Sequence, residues 1–368
     1  MAHVLVNALS LRPGGGLQVI MGLLASFSDQ NRYTIIWSDP RSLKYLQDNL
    51  ADKHFVSFDC PLGSKVTNMR TFFWQMMRLS KYAKNNDVDV VLSVNHHFPM
   101  GQIPQIIYHL SMLRFERPLC NLWKSGEIQD RLRDWRAEKA IRLANANVLE
   151  SQYLRRLAEN KYGLIRNPNV IYIGLRDEVA ESMAAASKAT SSILAVTSPQ
   201  PHKDNPTLIR MMSELKQRRP EIPWRLRVAG GNPDAFEDLK SMANDLGVGE
   251  QIDFIGFKSH SELSEIAKSS LCLVTPSLRE SFCMVALEAM SWGCPALVAN
   301  TAAMPESVGE AGILVEPGSA EGFAESVMQL LDEPDIREHY IAKGFHHAKQ
   351  NTWSKSAARF EALIATVS

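Results

Sequence analysis

Two glutamates separated by seven residues, Glu280 and Glu288, stand in the stretch TPSLRESFCMVALEAMSWGCPALVAN. The apolar run that precedes them predicts a buried strand. Gly293 and Pro295 form a helix stop signal, so a helix is expected over 284–292. The first glutamate therefore lies in the loop before the helix, and the second lies on the helix itself.

This strand–loop–helix stretch has the groups that a phosphorylated sugar needs. Amide N–H groups before the start of a helix, those of Ser281, Phe282 and Cys283, favour an anion. Carboxylates accept hydrogen bonds from sugar hydroxyls. A sugar–diphosphate–ribose ligand requires hydrogen-bond donors for its phosphates, flanked by acceptors for its hydroxyls. The helix-start amides and the two glutamates provide this combination. The alternative is that both glutamates are solvated groups at a helix end.

A glycine run, Gly14 to Gly16 in RPGGGLQVI, follows the first predicted strand and opens the first predicted helix. Because glycines lack side chains, a ligand can approach the backbone closely and amide N–H groups can face an anion. A flexible turn without a ligand is the alternative. The run is not GxGxxG, and no acidic residue clearly closes a second strand about 20 residues on, so the pattern does not favour a nicotinamide cofactor.

A lysine stands at another predicted strand-to-helix junction, in QPHKDNPTLI. Lys203 precedes a helix for which Asp204 or Asn205 is a candidate cap. Its charge would add to a helix N-terminus that already favours phosphate. An ordinary surface lysine is the alternative.

Short apolar runs typical of buried parallel strands alternate with amphipathic helices along the whole chain. The first series of strands is HVLVNAL, YTIIWS, VDVVLSV, QIIYHL, NVLES and NVIYI, and the second is SILAVTS, RLRVAGG, QIDFIGF, SLCLVTPS, CPALVAN and AGILVEP. Two successive series predict an α/β protein with two doubly wound parallel sheets. The polar, Ala/Ser-rich stretch between them places the domain boundary near 175, giving domains 1–175 and 176–351.

Composition indicates an ordinary globular protein. The five cysteines are odd in number and show no CxxC spacing, which favours a reduced, cytoplasmic compartment. No apolar run reaches the roughly 18 residues of a membrane span, and the first residues lack the basic region of a signal peptide.

The zero net charge hides an asymmetry, since residues 1–175 hold 22 basic and 14 acidic side chains and residues 176–368 hold 18 and 26. Within the first half, VTNMRTFFWQMMRLSKYAK is basic and amphipathic. We expect peripheral contact with an anionic membrane or a lipid-linked acceptor. The alternative is a helix that packs its apolar side on the first sheet.

The stretch PSLRESFCMVALEAMSWGCPALVAN resembles the signature of glycosyltransferase family 4 (group 1). Further similar segments follow the family order, among them the GGG loop, PHKDN, QIDFIGFKSHSELSEIAKSS and MPESVGEAGILVEPGS. The resemblance covers nearly the whole chain and is strongest over 190–330. It implies a GT-B fold, with two facing Rossmann-like domains and a cleft between them, in which the first domain binds the acceptor and the second the nucleotide sugar. A terminal helix over 352–368 would pack back on the first domain.

The resemblance also implies roles for residues that match the family motifs. Glu288 would hold the ribose hydroxyls, Glu280 the donor sugar beside the helix-start amides, and Lys203 the diphosphate. The loop with Phe257 and Lys258 would hold the base. In the first half, the resemblance places His109 near the sugar 6-hydroxyl and Gly15 and Gly16 under the phosphate.

Two positions depart from the family pattern. Thr197 and Ser198 stand where the family has an arginine before its lysine, so Lys203, with His202 or Arg279, would carry the phosphate-binding charge. Cys283 stands where the family commonly has glycine, which would narrow the space over the sugar.

By resemblance the enzyme would be a retaining hexosyltransferase that uses a UDP- or GDP-linked sugar. Its acceptor would be a glycan or lipid-linked molecule, in cell-surface polysaccharide or lipopolysaccharide synthesis. The leaving diphosphate would take the acceptor's proton by front-face displacement, and no metal or cofactor would be needed. No nucleophile motif such as GxSxG is present.

Several alternatives to this function remain open. His109 fits equally well a histidine at a strand end whose hydrogen bonds are satisfied within the protein. The pair His96 and His97 are rival candidates, although without further ligands at metal-binding spacing they do not predict a metal site. At the level of function, a sugar-nucleotide epimerase of GT-B fold or a non-catalytic nucleotide-sugar-binding subunit is the alternative. No nucleic-acid partner is expected.

Overall fold

The computed structural model describes residues 1–8, 15–37, 54–57, 78–95, 103–110, 138–176 and 190–368, together with Met112, Phe115 and Trp135. The chain divides into two compact units. The first unit consists of Met1–Gly174 and Trp353–Ser368, and the second consists of Leu175–Thr352.

The first unit contains a seven-stranded parallel sheet with the strand order β3-β2-β1-β4-β5-β6-β7. Its strands are β1 His3–Asn7, β2 Arg32–Trp37, β3 His54–Ser57, β4 Val90–Val94, β5 Gln105–His109, β6 Ala146–Leu149 and β7 Pro168–Val170. Every residue of β1, β4, β5 and β6 is buried. Burial along whole strands is what the continuous apolar runs predicted, because helices cover both faces of such a sheet.

Two helices of this unit have both ends described, α1 Gly15–Ala25 and α2 Gln152–Tyr162. Further helical residues are described over 78–85 and 138–143. Ser151 is the N-cap of α2. Its side chain accepts a hydrogen bond from the Leu154 amide at 3.1 Å.

The second unit contains a six-stranded parallel sheet with the order β10-β9-β8-β11-β12-β13. Its strands are β8 Ser192–Val196, β9 Arg225–Ala229, β10 Ile252–Gly256, β11 Cys272–Thr275, β12 Ala296–Ala299 and β13 Ile313–Val315. Its helices are α3 Asn205–Arg218, α4 Glu237–Asp245, α5 His260–Lys268, α6 Met284–Ser291, α7 Met304–Val308, α8 Ala320–Asp332 and α9 Pro334–Gln350. One continuous apolar core fills the space between this sheet and its helices.

The last helix, α10 Trp353–Val367, belongs to the first unit although it follows the second in the chain. Its Phe360 ring packs edge-on against Phe27 and Tyr108. A Glu361 carboxylate oxygen accepts hydrogen bonds from the Ser28 amide, the Ser28 hydroxyl and the Tyr33 hydroxyl, at 2.8–2.9 Å. Residues more than 300 positions apart thus share one core.

Both sheets contain the 3-2-1-4-5-6 order of the Rossmann fold, and the first adds β7 at one edge. The predicted fold class, two doubly wound parallel sheets, is confirmed. One strand is additional to the prediction: β3 has four residues, too few for its apolar pattern to stand out. Within the described residues, no helix combines the length and hydropathy that crossing a membrane requires.

Candidate functional site

The residues of the second unit that are predicted to bind phosphate and sugar meet at the carboxyl edge of its sheet. The loop after β8 and the loop after β11 are joined by a hydrogen bond from the Leu278 amide to the His202 carbonyl, at 2.8 Å. These two strands are neighbours at the point where the strand order reverses. Ligands of open α/β sheets bind at this position, because helix N-termini and loop amides converge there.

An ion pair connects the two loops, with Lys203 Nζ 2.6 Å from Glu280 Oε1. The two side chains are only 21% and 17% exposed. In this environment their attraction is screened less than at an open surface. Two residues that are 77 positions apart in the chain therefore form an ion pair at the carboxyl edge of the sheet.

Local backbone geometry fixes the position of Lys203. It ends a 3-10 turn, Pro201–Lys203, and Asp204 follows with a left-handed φ of 47°. The Asn205 side chain then ties the loop, because Nδ2 donates to the Ser198 carbonyl at 2.8 Å and Oδ1 accepts from the Thr197 hydroxyl at 2.7 Å. Thr197 and Ser198, which stand where the resemblance expects an arginine, thus stabilise the loop through hydrogen bonds to Asn205.

His202, one of the two groups expected to replace that arginine, is a poor cation in this structure. Burial and the neighbouring charge of Lys203 lower the pKa of His202 below its ordinary value. A neutral imidazole brings no charge to a phosphate. Arg279, the second group, carries a positive charge that also lowers the pKa of His202.

The loop that carries Glu280 is held at one end by Ala303, the N-cap residue of α7, and at the other end by α7 itself. The Ala303 amide donates to the Glu280 carbonyl at 3.3 Å, and the Cys283 amide donates to the Ser307 hydroxyl at 2.9 Å. The Cys283 amide is therefore already engaged, and donation to a ligand would require this hydrogen bond to break. Ser281 and Phe282 lie between the two fixed ends.

The Cys283 side chain, which is expected to narrow the space over the sugar, is enclosed in the protein core. It is 1% exposed and packs in the core of the second unit, just before α6 begins at Met284. Burial raises the pKa of the Cys283 thiol to about 12, so the thiol is neutral. Its effect on a bound sugar stays a prediction.

Glu288 lies on α6, eight residues after Glu280, with a side chain that is 15% exposed. Burial raises the pKa of Glu288 to about 7, and the positive charge of Arg176 opposes this shift. His260 Nε2 lies 3.6 Å from its carboxylate, and the His260 ring stands edge-on to Trp292 at 5.0 Å. Burial and Arg176 lower the pKa of His260.

His260 and Arg176 were missed in the sequence, and the tertiary structure brings them to Glu288. A signal for His260 existed, since it follows Phe257 and Lys258 by two or three positions in GFKSH and opens α5. Arg176 carried none, because it stands in the segment between the two strand series.

The predicted base-binding loop lies at the carboxyl end of β10, on the same sheet edge. Phe257 is 84% exposed, and Lys258 Nζ lies 3.5 Å from Glu262 Oε1. The turn is closed by Gly256, which has a φ of 68°, and by a capping box between Ser259 and Glu262 at the start of α5. The exposed Phe257 ring is therefore carried on a firmly capped helix start.

The predicted residues of the first unit occupy the carboxyl edge of the first sheet. Gly15 and Gly16 are the first two residues of α1. His109 ends β5, is 1% exposed and forms a 2.9 Å hydrogen bond through Nε2 to Asn147 Oδ1. Phe115 packs edge-on to its ring.

This environment fits the structural alternative for His109, and its contact with a sugar stays a prediction. The rival pair of histidines at 96 and 97, and the glycine at 14, lie outside the described residues. Among the residues that the structure describes, no group of three or more His, Cys, Asp or Glu side chains is arranged to hold a metal ion.

Comparison with known proteins places the second unit in a family. Residues 184–347 match the model of the family described as Glycosyl transferases group 1. The D-inositol 3-phosphate glycosyltransferase of Corynebacterium glutamicum (strain R) is 32% identical over 169 residues, which are 45% of this chain and 40% of that protein. The protein of the same name from Rhodococcus jostii (strain RHA1) is 32% identical over 167 residues, 43% and 36% of the two chains. The chain thus spans about 40% of the length of the curated relatives that it matches.

Solved structures share the fold over the whole chain. A glycosyltransferase from Rickettsia africae ESF-5 superimposes with a TM-score of 0.77 at 14% identity, covering 100% of this chain and 98% of that one. Anabaena HepE in complex with UDP-glucose gives a TM-score of 0.77 at 16% identity, covering 100% of both chains. WaaG, a glycosyltransferase involved in lipopolysaccharide biosynthesis, gives 0.73 at 16% identity, covering 98% and 99%.

The fold and the sheet-edge site therefore define a protein of the GT-B class, built from two Rossmann-like domains. Residues 184–347 of its second unit match the family model of the group 1 glycosyltransferases. The resemblance noted in the sequence is confirmed at the level of group 1.

Proposed function

We propose that this protein is a retaining glycosyltransferase of family 4 that moves a hexose from a nucleotide-diphosphate sugar to an acceptor. The observation that carries the proposal is the Lys203–Glu280 ion pair at the carboxyl edge of the second sheet, with Glu288 about one turn along the helix that begins there. The match of residues 184–347 to the group 1 family model and the shared fold support it. The names of the relatives, all of them glycosyltransferases, point to the same activity.

The donor would lie along the start of α6. Glu288 would accept hydrogen bonds from the ribose hydroxyls, and Lys203 would neutralise the diphosphate. Glu280 would accept from the sugar hydroxyls, with the amides of Ser281 and Phe282 beside the phosphates. The Cys283 amide would join them only if its bond to the Ser307 hydroxyl opened. Phe257 and Lys258 would contact the base.

The ion pair has a function before the donor arrives. Each of its charges compensates the other in a partly buried place where an unpaired charge is costly. A diphosphate then replaces the Glu280 carboxylate as the partner of Lys203, which frees Glu280 for a sugar hydroxyl. Arrival of the donor would thus exchange one set of charge-assisted bonds for another, and little reorganisation would be needed.

Transfer would proceed on one face of the sugar, with the leaving diphosphate accepting the acceptor's proton. The chain's residues would contribute position and charge stabilisation through Lys203, the α6 amides, and Gly15 and Gly16 at the start of α1. His109 would contact the sugar. We propose that no metal is needed, because a lysine and helix-start amides can carry the charge that develops on the diphosphate.

The acceptor we propose is a glycan or a lipid-linked molecule, in the synthesis of a cell-surface polysaccharide. The protein would act in the cytoplasm, in peripheral contact with an anionic membrane surface. Most of the basic amphipathic stretch over 66–84 lies outside the described residues, so its charge pattern alone supports this contact. Sedimentation with anionic and neutral vesicles tests it, and failure to bind either would rule it out.

Ligand-dependent thermal stability tests the donor. A ligand that binds only the folded state raises the melting temperature by mass action, so UDP, GDP and their sugars should stabilise the protein. Stabilisation by NAD while every nucleotide sugar fails would overturn the proposal. Slow hydrolysis of the donor without acceptor supports a transferase. Epimerised donor without acceptor would indicate an epimerase, and binding without turnover would indicate a non-catalytic subunit.

A further inference from the structure

Ser307 lies in the MPESVGE stretch, which none of the roles proposed so far uses, at the fourth residue of α7. It is completely buried, and its hydroxyl makes two hydrogen bonds. The hydroxyl donates to the Ala303 carbonyl at 2.9 Å and accepts from the Cys283 amide at 2.9 Å. Because a hydroxyl has one hydrogen, donation to the carbonyl leaves a lone pair directed at the amide. The orientation of the Ser307 hydroxyl is therefore fixed.

The same turn of α7 holds the other end of the donor loop, the segment 280–283. The Ala303 amide donates to the Glu280 carbonyl, and the Ser307 hydroxyl accepts from the Cys283 amide three residues later. With both ends held by one helical turn, the two residues between them have little freedom. The donor loop carries the proposed sugar-binding carboxylate and the amides proposed for the phosphates.

Ser307 is itself held from the opposite side. His347 Nε2, on α9, lies 2.8 Å from the Ser307 carbonyl, and Asn351 Nδ2 donates to the His347 carbonyl at 2.9 Å. Burial lowers the pKa of His347, so the ring is neutral and can donate through Nε2. Gly309 leaves room for this ring, since a Cβ at Gly309 would lie 3.2 Å from His347 Cε1. A lateral shift of α7 would therefore disturb packing on both sides.

We infer that Ser307 is a positioning residue for the donor diphosphate and sugar: its hydroxyl fixes the Cys283 amide and, through it, the loop from Glu280 to Cys283. The inference rests on the proposed function, because it assigns the donor loop to the nucleotide sugar. Without the hydroxyl, the buried Cys283 amide has lost its acceptor, and a buried unsatisfied amide is costly. The loop would move or admit water to satisfy it. Glu288, on the body of α6, would keep its place at the ribose.

Because the donor loop would hold the diphosphate and Glu288 the ribose, loss of the Ser307 hydroxyl should weaken a nucleoside diphosphate more than a nucleoside monophosphate. Ser307→Ala should weaken UDP binding about tenfold, which corresponds to about 1.4 kcal/mol, and leave UMP binding within about twofold. The two probes share the base and ribose and differ in the second phosphate. GDP and GMP take their place if the wild-type protein binds guanine nucleotides instead. Titration calorimetry on the full chain measures both affinities.

Hydrogen–deuterium exchange gives a second readout that needs no ligand. The Cys283 amide should exchange faster in Ser307→Ala than in the wild-type protein, because it has lost its hydrogen-bond acceptor. Amides in α6 beyond the first turn should keep their wild-type rates. Ser307→Thr retains the hydroxyl and should restore both slow exchange and UDP affinity.

Ser270→Ala is the matched control. Ser270 is 1% exposed, and its hydroxyl donates to the carbonyl four residues earlier, as that of Ser307 does, at 2.7 Å. It precedes β11, at the amino edge of the sheet and away from the donor loop. The control removes a comparable buried hydroxyl and should leave both UDP affinity and Cys283 exchange unchanged.

The outcomes separate the two proposals. If the wild-type protein binds no nucleoside diphosphate, the proposed function fails and the inference fails with it. If the wild-type protein binds UDP or GDP and Ser307→Ala binds it equally well, the inference alone is overturned. If Ser307→Ala does not fold, Ser307→Cys, with a similar shape and a weaker acceptor, should still weaken UDP more than UMP; an equal loss for both overturns the inference.

Discussion

At the scale of single residues, the charged groups of the site lie beside one another. Lys203 and Glu280 form one pair, and Glu288 lies beside His260 with Arg176 acting on both. Removing one member of a partly buried pair leaves the other charge uncompensated. Variants of these residues therefore change stability as well as ligand binding, and the two effects must be measured separately.

The Lys203–Glu280 pair predicts loss of activity in both single variants. Lys203→Ala and Glu280→Ala should each lower donor turnover at least tenfold, on the order of 1.4 kcal/mol or more of lost transition-state stabilisation. The double variant Lys203→Met/Glu280→Gln should melt closer to the wild-type protein than either single alanine variant, because it leaves no unpaired charge, yet it should remain inactive. Lys240→Ala, which breaks an exposed pair with Glu237, is the control. Wild-type turnover in both alanine variants would remove the two residues from the site.

Glu288 predicts a pH dependence with a definite sign. Its pKa is about 7 in the folded protein and 4.5 as the ordinary value, so the folded state holds this proton more tightly. The stabilisation is present below pH 4.5 and is lost as the pH rises through 7; the shift corresponds to about 3 kcal/mol. His260, whose pKa is lowered, contributes with the opposite sign.

Glu288→Gln isolates this contribution in unfolding experiments between pH 4.5 and 8. Relative to the wild-type protein, the variant should gain stability as the pH rises over this range, because its amide does not ionise. Nucleotide affinity of the wild-type protein should rise up to about pH 7, since ribose hydroxyls donate to the ionised carboxylate. An unchanged stability difference between wild type and variant across the range would contradict the pKa shift.

At the scale of elements, loops and helix starts at the carboxyl edge of the second sheet carry Lys203, Glu280 and Phe257, three of the residues proposed to bind the donor. The α5 start shows how firmly such an element is set. The Ser259 side chain accepts from the Glu262 amide, and the Glu262 side chain accepts from the Ser259 amide and hydroxyl. This reciprocal arrangement satisfies two helix-end donors and fixes the loop that carries Phe257 and Lys258.

Ser259→Ala should lower the free energy of unfolding by about 1 kcal/mol, the usual effect of losing an N-cap. Base binding should weaken as well, because the Phe257 loop loses its anchor. Phe257→Ala should weaken nucleotide binding without lowering stability, since that ring is 84% exposed. Chemical denaturation and nucleotide titration of both variants separate the cap from the contact; a stable Ser259→Ala protein with normal affinity would refute the anchoring effect.

At the scale of the whole molecule, the first unit is completed by the last segment of the chain. One Glu361 carboxylate oxygen accepts three hydrogen bonds from Ser28 and Tyr33, and the Tyr33 side chain is 4% exposed. Burial raises the pKa of Tyr33 above its ordinary value, so its hydroxyl remains a donor. The stability of this unit thus depends on residues that follow the whole of the second unit.

Glu361→Ala should lower the free energy of unfolding of the first unit by about 1–3 kcal/mol, because it leaves the Tyr33 hydroxyl and the Ser28 amide without their acceptor. Denaturant unfolding with limited proteolysis identifies which unit opens first, and we expect fragments of the first unit. Glu325→Ala, an exposed partner of Arg218 on α8, is the control and should have a small effect. Equal midpoints for the two variants would contradict the role of Glu361.

Local sequence patterns predicted the two series of parallel strands, the loops that carry Lys203 and Glu280, and the helix from Met284 that carries Glu288. These features follow from hydrophobic periodicity and helix signals, which act over a few neighbouring residues. They did not reveal β3, whose four residues are too few for a pattern.

Only the tertiary structure decided which distant groups meet. Ser307 bonds to the Cys283 amide across 24 positions, and the Cys283 side chain turns into the core. His260 and Arg176 come close enough to act on Glu288, and Arg176 does so from a segment with no sequence signal. Such pairings depend on strand order and helix packing rather than on local propensity, because they join residues that only the folded chain brings together.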